Sequence, residues 1–191
     1  NSEKMVDLGI GQPSESLLDL SLIKKSIENL LKSDMMNNVD ILQYSNTKGI
    51  YPFRKNLSNW INKKVENIMS NKIDELDPDK LFLTTGVTGA VQLLLETFCF
   101  PEDTILVEES TYFLMIDIFR NFGLNVERIK FNEDGICMED LVSKLESLSE
   151  KQNKVFLYII PFYHNPTGYS ISKSKIEEIK DIFSYYSNFY I

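Results

Sequence analysis

Apolar and polar positions alternate along this chain with two different rhythms, one in its first third and another beyond it. From Asp19, the apolar residues Ile23, Ile27, Leu30 and Leu31 recur at helical spacing, with Asp19 or Ser21 as the N-cap. Residues 1–15, with Gly9, Gly11 and Pro13, read as an extended arm, and Asn37–Asp40 break the helical pattern. The loop Gln43–Gly49 leads to Pro52, which suits the first turn of a helix with Phe53, Leu57, Ile61, Val65 and Ile68 on one face.

After Asp77-Pro78 the rhythm changes to short apolar runs separated by helical stretches. Strands are predicted at Leu81–Thr84, Ile105–Glu108, Val126–Ile129, Val155–Ile160 and from Phe189 to Ile191. Helices are predicted at Ala90–Phe98, Tyr112–Phe122, Met138–Leu148 and Ser174–Tyr186, the last with Ser174 and Glu177 in capping-box register. Strands alternating with helices across short turns predict an α/β fold, with a mainly parallel sheet sandwiched by helices. Apolar runs within the strands fit burial on both faces. Phe119, Phe122 and Phe183 are core residues by spacing.

Composition narrows the function. The 191 residues suffice for one domain or slightly more, with a core that needs no staples. Twenty basic against 28 acidic residues give a net charge of −8, and only Arg54, Arg120 and Arg128 are arginines. No basic stripe can track a phosphate backbone, so a nucleic-acid module is excluded as the main reading. Cys99 and Cys137 have no partners at metal spacing and read as reduced thiols. A single histidine, His164, rules out a His-rich zinc site. The longest apolar run, Val155–Phe162, is too short to span a bilayer, and the N-terminus carries no signal-peptide hydrophobic region. The chain reads as cytoplasmic. Lys63-Lys64 and Glu177-Glu178 are solvated helix faces, and the glycosylation triplet at Asn56 is incidental in a predicted helix.

In parallel sheets, ligands gather beyond the carboxyl ends of the strands. Three turns fall there. Thr84-Thr-Gly-Val-Thr-Gly89 follows a strand and opens a helix, where free N–H groups can hold an anion; it matches neither a Walker loop nor G-x-G-x-x-G. Glu108-Glu-Ser-Thr-Tyr112 places an aromatic ring at a helix start, either as a platform for a planar ligand or as a core side chain. Pro161–Gly168 contains Asn165-Pro-Thr-Gly, in which Asn165 is kept out of the helical region and its bond to Pro166 suits a cis peptide.

Together with Gly11-Gln-Pro13, Gln43-Tyr44…Gly49 and Pro101-Glu-Asp103, these turns resemble, in order and spacing, the class I/II aminotransferases. The resemblance runs over essentially the whole chain and corresponds to the N-terminal half of such an enzyme. It implies a pyridoxal-phosphate-dependent transferase of fold type I. Residues 1–43 would be an N-terminal arm and helix of a small domain, and 44–191 the first portion of the cofactor-binding large domain.

By the same resemblance, Gly86, Val87 and Thr88 would hold the cofactor phosphate, and Tyr112 would stack on its ring. Asn165 would hydrogen-bond the ring hydroxyl oxygen, favouring its phenolate form. Gly11 would lie near the substrate carboxylate, and Tyr44 would reach the site of a neighbouring subunit in a homodimer. Ser110 departs from the proline that often precedes the Thr-Tyr pair, and His164 stands at a variable position. The aspartate that pairs with the pyridine nitrogen and the Schiff-base lysine are expected beyond Ile191. None of the 17 lysines (20 basic residues less three arginines) takes that role, so residues 1–191 alone are expected to be inactive.

The implied activity is amino-group transfer between an amino acid and a 2-oxo acid. Lyase, decarboxylase or synthase chemistry on the same scaffold, or an aminotransferase-like regulatory domain, are the alternatives. No metal, membrane or nucleic-acid partner is expected.

Overall fold

The computed structural model describes residues 11–34, 42–68, 74–132, 134–150 and 153–191. Gly9, the break at Asn37–Asp40 and the Ile68 side chain lie outside them. Contacts divide the chain into two compact units, Asn1–Leu83 and Thr84–Ile191, where the sequence analysis set its boundary at 43/44.

In the first unit, a 3-10 turn at Glu15–Leu17 precedes α1 (Leu20–Leu31). Asp19 is the cap, and its Oδ1 accepts hydrogen bonds from the Ser21 and Leu22 amides, satisfying two of the helix's free donors. The same bonds hold its carboxyl below the ordinary range, the Ser21 hydroxyl contributing most. α1 buries none of its side chains. Helix α2 (Tyr51–Ile68) forms as expected, but its buried positions are Arg54 and Ser58, one step round from the half-buried Leu57, Ile61 and Val65.

The reason is polar. Arg54 Nε donates to the Gly49 carbonyl at 3.1 Å, and its Nη1 donates to the Pro78 carbonyl and to Asp79 Oδ1 (3.1 Å). One turn on, the Ser58 hydroxyl donates to the Leu76 carbonyl, and Asn62 pairs with both backbone groups of Leu76. These bonds stitch the segment 76–79 to α2.

Leu81–Thr84, expected as a strand, pairs with no strand among the described residues. It instead leans on the preceding loop: the Leu83 amide donates to the Lys48 carbonyl (3.0 Å), and the Leu83 side chain fills the space a Cβ on Gly49 would need. Gly49 has φ +96°, so both its conformation and its neighbour require glycine.

The second unit is the predicted α/β sandwich. Its four-stranded sheet has the order β2-β1-β5-β6, all parallel: β1 is Thr104–Glu108, β2 Asn125–Ile129, β5 Val155–Tyr158 and β6 Phe189–Tyr190. Side chains alternate across it. Leu106, Val155 and Leu157 join the cluster formed with α5 (Met138–Ser149) and α6 (Lys173–Ser184). Ile105 and Val107 join the cluster on the other face, with Leu95 of α3 (Gly86–Phe98) and Met115, Ile116 and Phe119 of α4 (Phe113–Asn121). Phe119 and Phe183 are buried and Phe122 is partly buried, as expected.

Three local expectations change. Helix α3 starts at Gly86 rather than Ala90, because Gly86 itself takes φ +72° and turns the chain directly into the helix. Helix α6 is capped by Ser172, not Ser174: the Ser172 hydroxyl accepts from the Lys175 amide at 3.2 Å. An antiparallel hairpin, β3 (Phe131–Asn132) and β4 (Gly135–Ile136), follows β2 where no element was expected. The Pro101-Glu-Asp103 turn proves to be a joint between strands. Buried Asp103 accepts from the Phe100 amide (2.8 Å) and, through its other oxygen, from the Lys154 amide (2.9 Å), tying the start of β1 to the start of β5. No helix among the described residues is long and apolar enough to cross a membrane.

Candidate functional site

Adjacent parallel strands β1 and β5 end side by side, with Val107 opposite Tyr158, and the loops after them carry Tyr112 and Asn165. Helix α3 precedes β1 across residues 99–103, and its Leu95 and Val91 pack in the cluster that holds Ile105 and Val107. Two of the three turns singled out from the sequence, those after β1 and β5, therefore leave the sheet at the same end, and the third opens the helix that packs on its face.

The first turn of α3 is an open cradle. Thr85, its N-cap, makes no side-chain capping bond, so the first-turn N–H groups have no side-chain partner of the usual kind. Gly86, Val87 and Thr88 are exposed, and a Cβ at Gly86 would meet nothing within 4 Å. A helix start of this sort is suited to a phosphate: N–H donors, the positive end of the helix dipole and the Thr88 hydroxyl are all at hand.

Tyr112 is the N-cap of α4, half-buried against the cluster around Phe119, with its ring edge-on to Phe113 at 5.7 Å. One residue earlier, the Thr111 hydroxyl is buried without a hydrogen-bond partner. Asn165 is exposed, and its bond to Pro166 is cis. Gly11 and Tyr44 belong to the other unit; both are exposed.

His164, placed by the resemblance at a variable position, and Tyr169, which no sequence motif singles out, have defined surroundings. Both are part of a polar cluster around Glu108 at the end of β1. Tyr169 donates its hydroxyl to Glu108 Oε1 (2.8 Å) and the Ile160 amide donates to Oε2 (3.3 Å). His164 Nε2 stands 2.8 Å from Oε2, off the line of a hydrogen bond, and both side chains are wholly buried. Burial first, then the hydrogen bond to Glu108 and its charge, raises the Tyr169 phenol far above its usual value. Tyr158, at the end of β5, is raised by burial and by the charge of Glu108. An acidic residue ending an otherwise apolar buried strand was the available signal.

Beside α3, an apolar groove of about 600 Å³ is lined by Val91, Leu94, Phe98, Phe156, Tyr158 and Tyr190, among others. It has no cluster of donors to orient a charged ligand, so the polar chemistry stays with the three turns. No group of three or more metal-ligating side chains occurs among the described residues. Cys99 and Cys137 are free thiols.

Comparison with known proteins gives the arrangement its context. The aromatic-amino-acid aminotransferase 1 of Thermococcus litoralis is 26% identical over 183 residues, covering 95% of this chain and 42% of that protein. The multiple substrate aminotransferase of Thermococcus profundus superposes with a TM-score of 0.76 at 26% identity, covering 94% of this chain and 42% of its own. The kynurenine aminotransferase of Pyrococcus horikoshii, solved with PMP, kynurenine as substrate and KYA as product, gives 0.72 at 27% identity, over 88% of this chain and 40% of its own. The chain thus spans less than half the length of these relatives. The family model for aminotransferase class I and II matches residues 3–191, and the chain belongs to that family.

Proposed function

We propose that the protein carrying this chain is a pyridoxal-phosphate-dependent aminotransferase, moving an amino group between an amino acid and a 2-oxo acid. The observation that carries this is the donor set this unit offers: an open helix start suited to a phosphate, and an aromatic ring and an exposed carboxamide on the loops after the paired strands β1 and β5. The solved relative with PMP supports the same cofactor. When bound, pyridoxal phosphate supplies a reactive aldehyde and a ring that accepts an electron pair.

This chain's residues would bind and orient. The Val87 N–H and the Thr88 hydroxyl hold the phosphate at the uncapped start of α3, joined by the Gly86 N–H once it turns from the Thr84 carbonyl to which it donates at 2.9 Å. Tyr112 covers one face of the ring and shields it from water. Because its ring also packs on the Phe119 cluster, the platform is stiff. The Asn165 carboxamide donates to the ring oxygen and stabilises its ionised form. Gly11, with no side chain, leaves room for the substrate carboxylate.

The reading extends to assembly. Residues 1–43 belong to a small domain and 44–191 to the large one. Tyr44, fully exposed in its own unit, serves the site of the second subunit of a cytoplasmic homodimer. Mixing Tyr44→Phe subunits with subunits lacking the covalent lysine checks this, since one site then regains a complete set of residues.

The full-length protein is purified, loaded with pyridoxal phosphate and given an amino acid alone. Conversion of the cofactor absorbance to the pyridoxamine form, reversed by a 2-oxo acid, is expected. Release of carbon dioxide or ammonia without that interconversion overturns the proposal in favour of decarboxylase or lyase chemistry.

A further inference from the structure

The loop that carries Asn165 is held from inside. His164 is buried while Phe162, Tyr163, Asn165, Pro166, Thr167 and Gly168 around it are exposed. Its backbone closes the loop on itself: the His164 amide donates to the Tyr169 carbonyl (2.8 Å) and the Gly168 amide returns to the His164 carbonyl. A further bond from the Ile171 amide to the Pro161 carbonyl (2.8 Å) ties the two ends.

The ring of His164 is equally engaged. Nδ1 lies 2.8 Å from the Thr167 hydroxyl and accepts from the Thr167 amide at 3.4 Å. In the neutral ring this leaves the proton on Nε2, the atom facing Glu108. Glu108 sits on β1 two residues beyond Leu106 and so on the same sheet face, with its side chain fully buried. It is therefore a fixed point for the loop at the end of a buried strand, accepting the Tyr169 hydroxyl and the Ile160 amide and standing 2.8 Å from His164 Nε2.

The unexpected hairpin completes the grip. Phe131 packs edge-on against Tyr169 at 4.8 Å and lies tilted against His164 at 5.9 Å. A Cβ on Gly135 would lie 2.7 Å from the Tyr169 ring, and Gly135 has φ +111°, so only glycine lets the hairpin close over that ring. A buried carboxylate, a buried imidazole and a phenol thus converge on the residue next to Asn165.

We infer that Glu108, His164 and Tyr169 act as a clamp of positioning residues that sets where the Asn165 carboxamide meets the cofactor ring. The inference rests on the pyridoxal-phosphate reading. None of the three needs to touch the cofactor. Holding the loop from the strand end removes the freedom Asn165 would otherwise lose on each binding event.

The test uses the full-length protein, stripped of cofactor and reloaded with pyridoxal phosphate, and reads the pH midpoint of the bound cofactor's visible absorbance rather than turnover. Asn165→Ala is expected to raise that midpoint by about one unit or more, as loss of a donor to a charged oxygen should. Glu108→Gln and Tyr169→Phe are expected to raise it by a fraction of that, and Tyr169→Phe keeps the ring and its packing should Glu108→Gln fold poorly. Combined with Asn165→Ala, neither should add anything, because a clamp has no effect once its carboxamide is gone.

Shifts that add in full to that of Asn165→Ala overturn the clamp and assign the residues a direct electrostatic effect. No shift in the folded Tyr169→Phe or Glu108→Gln protein, alongside a shift in Asn165→Ala, also overturns it. A wild-type protein that takes up no pyridoxal phosphate overturns the cofactor reading itself and the clamp with it.

Discussion

The two units of this chain are held by different forces. The second has an apolar cluster on each face of a parallel sheet, and every residue of β1 is buried. In the first, the residues that α2 buries are an arginine and a serine, which hold the segment 76–79 by its carbonyl groups, while the apolar residues of α1 are exposed. Apolar packing is tolerant of small shifts but sensitive to lost volume; hydrogen bonds to buried carbonyls are sensitive to geometry and to the donor's shape. The difference explains why one unit can present the loops after β1 and β5 rigidly. Loops anchored to strands with both faces covered inherit the stiffness of the sheet.

Removing volume from the second unit should therefore have the largest effect. Phe119 is wholly buried, contacts Tyr158 edge-on at 5.3 Å, and backs the cluster against which Tyr112 rests. Phe119→Ala is expected to destabilise the second unit by about 3–5 kcal/mol. Urea unfolding followed by amide exchange in β1 measures it. A loss below about 1 kcal/mol would break the comparison, because the cluster would then be dispensable.

Next comes the polar stitch. Arg54→Ala leaves the Gly49 and Pro78 carbonyls without their donor and is expected to cost about 2–3 kcal/mol, felt in the first unit. Arg54→Lys should recover little of this, since an ammonium cannot reproduce a planar fork aimed at separate acceptors. Trp60, the chain's single tryptophan, lies on α2 and makes its fluorescence a report on that unit. Full rescue by lysine would mean that charge, not geometry, holds the segment.

The second unit also carries a smaller, pH-dependent contribution. Burial, reinforced by the charge of Asp103, pushes the Cys99 thiol up to about 11 from an ordinary value near 9. The folded state thus keeps its proton where the unfolded chain has lost it. Stability is fully present below pH 9 and falls as pH rises through 9 towards 11. Cys99→Ala should flatten that part of the stability profile, and the wild-type thiol should react slowly with a thiol reagent at pH 8, where only about one molecule in a thousand is thiolate. Rapid labelling in the folded state would show the site to be open.

Much of this architecture was legible from the residue pattern, and the exceptions share a cause. The α/β alternation of the second unit, and the strands β1, β2 and β5, follow from apolar runs long enough to decide their own structure. Leu81–Thr84 has the composition of a strand, but strands exist only with partners, and none pairs with it among the described residues. The β3–β4 hairpin is two residues per strand, below what periodicity can register; the Asp134-Gly135 pair was its one cue. At the candidate site the three turns were visible because glycine, proline and asparagine mark backbone geometry. Glu108, His164 and Tyr169 were not read together, because nothing local relates residues more than fifty positions apart until β1 and β5 pair.

α1 gives the smallest expected effect and the sharpest limit on the comparison. Its apolar residues have the helical spacing from which burial would be inferred, yet Ile23 and Ile27 remain 55% and 52% exposed and no α1 side chain is buried. Periodicity reports that a helix has an apolar side; it does not supply the surface that would cover it. Replacing both with serine leaves helix propensity almost unchanged, since isoleucine and serine rank alike. It also removes little buried area. The unfolding free energy of this chain should therefore change by no more than about 0.5 kcal/mol, measured by urea titration with far-ultraviolet circular dichroism. A loss above about 1 kcal/mol would mean that these side chains do stabilise the folded chain, and that apolar packing matters to the first unit as it does to the second.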